Sequence, residues 1–156
     1  MRSALKLLVL CGVTSFTFTS IPGSAPAQDA AAVVKERQTV MRQQYKNLMA
    51  IKAFLDGKGE QAAAVAAADQ LTQSVPKVPN LFPPGTGMAP PEGKYRPKPE
   101  VWTQGAKFLA AAKTVAEGVN ALDAAVKSGD KQKIAAAFTK LDTCNACHDD
   151  FQEKVQ

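Results

Sequence analysis

The chain has 156 residues, of which 46% are hydrophobic, 6% aromatic and 21% charged, and carries a net charge of +5 at neutral pH. That length fits one domain, without the low-complexity or repeated segments that would mark another architecture. The positive charge is not interleaved with aromatic residues along the chain, which argues against nucleic acid as a partner.

Arg2 and Lys6 open the chain, an apolar run extends from Leu7 to Phe18, and Ala25-Pro26-Ala27 supplies small residues ahead of Gln28. This pattern predicts a signal peptide over residues 1–27, too short and too interrupted to span a membrane. A periplasmic domain of residues 28–156 is expected to remain. Cys11 leaves with the leader, and Leu10 stands where a lipid-anchor site would have a small residue.

Apolar residues then recur at helical spacing in four blocks, which predicts an all-α chain. The first helix is expected from about Asp29 to Leu55, with Val34, Met41, Leu48 and Leu55 spaced by sevens and Gly57 as its stop. The second is expected from about Glu60 to Val75, with Ala68, Leu71 and Val75 on one stripe. Eight of the ten prolines fall between Pro76 and Pro99, predicting a long ordered connection free of helix and sheet. Pro99 is suited to open a third helix that runs to about Lys127 and buries Phe108, Ala112, Val115, Val119, Leu122 and Val126. A fourth, from about Lys131 to Lys154, aligns Ile134, Phe138, Leu141, Cys144, His148, Phe151 and Val155 toward the core. Two short connections and one long one predict an antiparallel four-helix bundle of up-down-up-down topology.

The single histidine lies in Cys144-Asn145-Ala146-Cys147-His148, with eight residues after it. C-x-x-C-H is an attachment signature for c-type haem. On a helix the three side chains lie within about one turn. Two thiols can then add to the vinyl groups of a porphyrin while the imidazole reaches the iron. A redox-active C-x-x-C pair wants a strand-helix-strand setting, and a zinc site wants a fourth ligand that neither Cys11 nor a second histidine provides. The reading is therefore one covalent haem c, with Cys144 and Cys147 as its anchors and His148 as the iron ligand. The alanine-rich stripes leave room for such a group, so the haem-free protein is expected to pack loosely.

The C-terminal motif occurs together with Val34-Lys35-Glu36-Arg37-Gln38, Leu81-Phe82-Pro83-Pro84-Gly85-Thr86-Gly87 and Lys98-Pro99-Glu100-Val101-Trp102. With these segments and the run from Cys144 to Phe151, the mature chain resembles the class II cytochromes c, the cytochrome c′ and c-556 family. The resemblance implies that Arg37 and Gln38 hold the haem propionates, with Arg96 as a further contact at a variable position; a solvated helix face is the plain alternative for the pair. It also implies that Met41 covers the distal face of the iron, although a methionine on a helical stripe is more commonly core filler. Phe82 and Trp102 stand where pocket walls are expected. The c-556 branch places its ligating methionine where this chain has Gln44, and Met49 could compete only in another helix register. Family members usually carry Arg or Lys four residues after the histidine, where this chain has Gln152.

The implied function is that of a five-coordinate periplasmic haem protein that binds NO and CO or exchanges electrons with redox partner proteins. The alternative is a six-coordinate carrier of the c-556 type with a methionine ligand. Peroxidase-like enzyme activity is not expected, because no second histidine can serve as a distal acid-base group and Met41 offers no proton. The family also forms homodimers through its first two helices, an option the 34-41-48-55 stripe leaves open.

Overall fold

The computed structural model describes residues 30–89, 93–141 and 143–155, without the side chains of residues 143–146. The leader expected over 1–27, including Cys11, and the side chain of Cys144 lie outside the described residues. Helices α1 (Ala30–Leu55) and α2 (Gln61–Ser74) form the first antiparallel pair, turned by Gly57 at a left-handed φ of 72°. A 3₁₀ helix (Val75–Leu81) follows, then strand β1 (Tyr95–Pro97), the single turn α3 (Glu100–Thr103) and the long α4 (Gly105–Ser128). Gly129, at φ 71°, ends α4 as its position after the apolar stripe predicts. The chain closes with α5 (Lys131–Lys140), α6 (Thr143–Phe151) and strand β2 (Gln152–Lys154). Helix α1 packs on α2, α2 on α4, and α4 on both α5 and α6. The result is a four-helix bundle whose last helix is divided.

Three boundaries differ from the periodic reading. The fourth helix is not continuous to Lys154: it breaks after Lys140, where the Leu141 amide bonds the Phe138 carbonyl in a tightened turn, and it gives way to β2 after Phe151. The third helix is interrupted at Gln104 (φ −117°, ψ 42°), ahead of the poor helix former Gly105. The proline-rich connection contains both a 3₁₀ helix and a strand. Pro76 sits at the start of the 3₁₀ segment, where a missing N–H costs little, and Pro97 pairs with Gln152 in a two-stranded antiparallel ribbon that has only edges.

The α5 N-terminus is capped by Asp130, whose carboxylate accepts from the amides of Gln132 and Lys133 at 3.0 and 3.1 Å. These backbone bonds, with Lys133 nearby, hold the Asp130 carboxyl below its usual range. A depressed folded-state value stabilises the fold fully above the unfolded aspartate range near pH ~4, and the contribution is lost as the pH falls through the folded value. Asp130→Ala is therefore expected to lower the Tm at pH 7 and to flatten its fall on acidification, both readable in thermal melts at a series of pH values.

Two apolar clusters form. The larger joins Ile51, Leu71, Leu122, Val126, Ile134 and Leu141 with the small side chains of α2 and α4. The smaller stacks Phe108 edge-on to Phe82 and Phe151, with Val101 and Trp102 behind them. All of the expected α4 stripe is buried except the half-buried Val115, whereas of the 34-41-48-55 stripe only Val34 is fully buried. Met41 and Leu48 are half-buried because they face a space between the two clusters.

Candidate cofactor site

That space is a cavity of two adjoining lobes, about 340 and 280 Å³, which share Met41, Tyr45, Val78, Phe108, Cys147 and His148 as walls. The second lobe is walled mainly by aliphatic side chains such as Leu48, Leu71, Val75, Val115 and Val119. The first carries Arg37, Arg42, Lys94 and Arg96, and no carboxylate among the described residues lines it. An amphipathic occupant with an apolar body and acidic groups at one end suits these walls. Haem has that character, and two of its expected anchors, Cys147 and His148, stand where the lobes meet.

The histidine does not pack into the core as the helical stripe suggested. It is exposed, because its imidazole forms a cavity wall. Partial burial still draws its pKa below the ordinary histidine value, with Asp149 opposing. The shift favours the neutral imidazole, the form that can ligate a metal. Burial pushes the Cys147 thiol up, and Asp150 adds to the shift.

The segments around the cavity are tied by hydrogen bonds that skip across the sequence. Arg37 is buried, not solvated: its Nη1 donates to the Leu81 carbonyl at 3.2 Å and to Thr86 Oγ1 at 3.4 Å, and its Nη2 to the Thr86 carbonyl at 2.9 Å. Its guanidinium also lies 4.6 Å from the centre of the Phe82 ring. Burial lowers the Arg37 pKa, but an arginine remains cationic. Trp102 Nε1 donates to the Phe82 carbonyl at 2.9 Å, and Lys98 donates its amide to the Phe151 carbonyl and its ammonium to that of Asp149. All four sequence segments that carry the family resemblance are thus linked at one end of the bundle.

Gln38, Met41, Phe82 and Arg96 all line the first lobe beside His148. Arg96 also pairs through its Nε with Glu153 at 2.6 Å, across the β1–β2 ribbon. Trp102 does not line either lobe and braces Phe82 from behind. Gln44 lines the second lobe and donates to Ser74 Oγ at 3.2 Å, while Met49 lies outside both lobes. Sequence reasoning missed Tyr45 and Val78. Tyr45 follows Met41 by four residues on α1, so the i,i+4 rule alone would have placed it on the same face; Val78 lies in the 3₁₀ segment and offered no comparable signal.

A protein-family model described as Cytochrome C′ matches residues 32–152. Cytochrome c′ of Rubrivivax gelatinosus is 39% identical over 107 residues, covering 67% of this chain and 81% of that protein. Cytochrome c-556 of Rhodopseudomonas palustris is 28% identical over 153 residues, covering 96% and 98%. Among solved structures, the nitric oxide complex of a mutant cytochrome c′ from Alcaligenes xylosoxidans superposes with a TM-score of 0.70 at 26% identity, covering 80% of this chain and 96% of that one. The matched span takes in every segment that walls the amphipathic cavity, and on these grounds the chain belongs to the cytochrome c′ family and carries one covalent haem c.

Proposed function

We propose that the protein is a periplasmic haem c protein, exported by the leader over residues 1–27, in which His148 is the proximal ligand and the opposite face is open to small gases. The observation that carries this reading is the placement of Met41 and His148 as walls of both lobes, with Met41 on α1 and His148 on α6. Haem bound here would be held by Cys144, Cys147 and His148 and would supply an iron able to bind a diatomic gas.

Cys144 and Cys147 anchor the group covalently. Arg37 spends Nη1 and one Nη2 proton on the connection, which leaves Nε–H and one further N–H for a propionate. Gln38 adds an amide donor from the same wall, and Arg96 approaches through the terminal nitrogens that do not face Glu153. Met41 and Phe82 present apolar surface that keeps water and bulky anions out. Neither offers a proton, so binding rather than turnover is the function they support. The Alcaligenes xylosoxidans relative was solved as a nitric oxide complex, which supports the same ligand class here. Carbon monoxide added to ferrous holoprotein should shift its absorption spectrum to saturation; no response would sink the open-face reading.

The second reading, a six-coordinate electron carrier, draws on the near full-length similarity to a cytochrome c-556 and on the presence of a methionine in the cavity wall. It would require the Met41 thioether as ligand. Gln44 and the remote Met49 supply no alternative thioether.

A further inference from the structure

We infer that the mouth of the cavity is a docking face for an acidic electron-transfer protein, a reading that rests on the haem function above. The chain has two tyrosines, and both stand at this mouth: Tyr45 is 63% exposed and Tyr95 50%, and both line the first lobe. Beside them lie Arg42 and Lys94, also exposed and without an ion-pair partner among the described residues. Large amphipathic aromatics flanked by arginine carry much of the energy of protein interfaces, because they bury area at a low cost in conformational entropy.

Arg37 and Arg96 are the cations assigned above to cofactor carboxylates, while Arg42 and Lys94 line the same lobe but are exposed at its rim. A second copy of this chain is a poor occupant. A two-fold contact would bring Arg42 and Lys94 against their own counterparts, whereas an acidic surface would pair with them. The need for such a partner follows from the ligand chemistry. A haem held here would have to be ferrous to take carbon monoxide, and starting from the ferric state it would need a one-electron donor protein: the donor would lose one electron, the iron would gain it, and no bond or proton would move.

The test compares two double charge reversals in the holoprotein. Arg42→Glu with Lys94→Glu alters the mouth. Lys58→Glu with Lys131→Glu changes the net charge equally at the far end of α1, where the Lys131 ammonium lies over the Phe54 ring. The first readout is the salt needed to elute each protein from a carboxylate resin, and the second is its electron-exchange rate at a carboxylate-terminated electrode. The mouth pair should elute at clearly lower salt and exchange electrons about tenfold more slowly or worse, with the far pair within about twofold of the unaltered protein. Equal effects of the two pairs would overturn the proposal in favour of net charge. A dimer in sedimentation that only the mouth pair dissociates would overturn it in favour of a second copy, and equal dependence in binding to anionic lipid vesicles would overturn it in favour of a membrane. The resin readout does not depend on redox activity, and the absorption spectrum reports the haem separately, so failure of the haem reading is distinguishable.

Discussion

Arg37→Ala is expected to destabilise the holoprotein by about 2–4 kcal/mol, a fall in Tm on the order of 10 °C. The side chain is buried and makes three hydrogen bonds to the connection as well as a contact with the Phe82 ring. Its removal leaves the carbonyls of Leu81 and Thr86 without these donors and unseats the aromatic wall of the first lobe. Arg37→Lys should recover little, because an ammonium cannot reproduce a planar fork that reaches Leu81 and Thr86 together. The same substitutions separate two roles. If Arg37 served only a haem propionate, the haem-free protein would be indifferent to them, whereas a residue that pins α1 to the connection must destabilise both forms.

Met41→Ala is the second large effect. On the proposed reading, in which Met41 covers the ligand face, a diatomic ligand would have to displace its side chain, and crowding of that kind costs about 1–3 kcal/mol. Removing the side chain should therefore tighten carbon monoxide binding by roughly 5- to 150-fold, as measured by titration of the ferrous protein. Weaker binding, or none, would mean that Met41 does not cover the ligand site. If instead the unaltered protein bound no gas and Met41→Ala began to, the thioether would be the sixth ligand.

The parts of this molecule that were legible from sequence are those set by local spacing. The α4 stripe reports a regular helix against a regular core, and the spacing of Cys144, Cys147 and His148 placed the motif on a helix, where α6 carries it and Cys147 and His148 line the cavity. The division between α5 and α6 was not legible. No glycine or proline marks it, and the turn at Leu141 belongs to a tertiary fit in which a Cβ on Gly118 would come within 3.0 Å of the Leu141 side chain. The β1–β2 ribbon was hidden for a similar reason: three residues on each side, one of them Pro97, pair across more than fifty positions. The same limit applied at the site. Arg37 looked equally suited to a solvated face, because its burial depends on Thr86, forty-nine residues away. The basic and aromatic mouth was invisible along the chain, since Arg42 and Tyr45 of α1 come to line one lobe with Lys94 and Tyr95 only in the folded protein.

The most direct test of the open distal face is the absorption spectrum of the ferric holoprotein without any added ligand. The arrangement of Met41 and His148 predicts a high-spin spectrum that lacks a methionine-to-iron charge-transfer band in the far red. A low-spin spectrum that shows this band would contradict the account and make the protein a six-coordinate electron carrier.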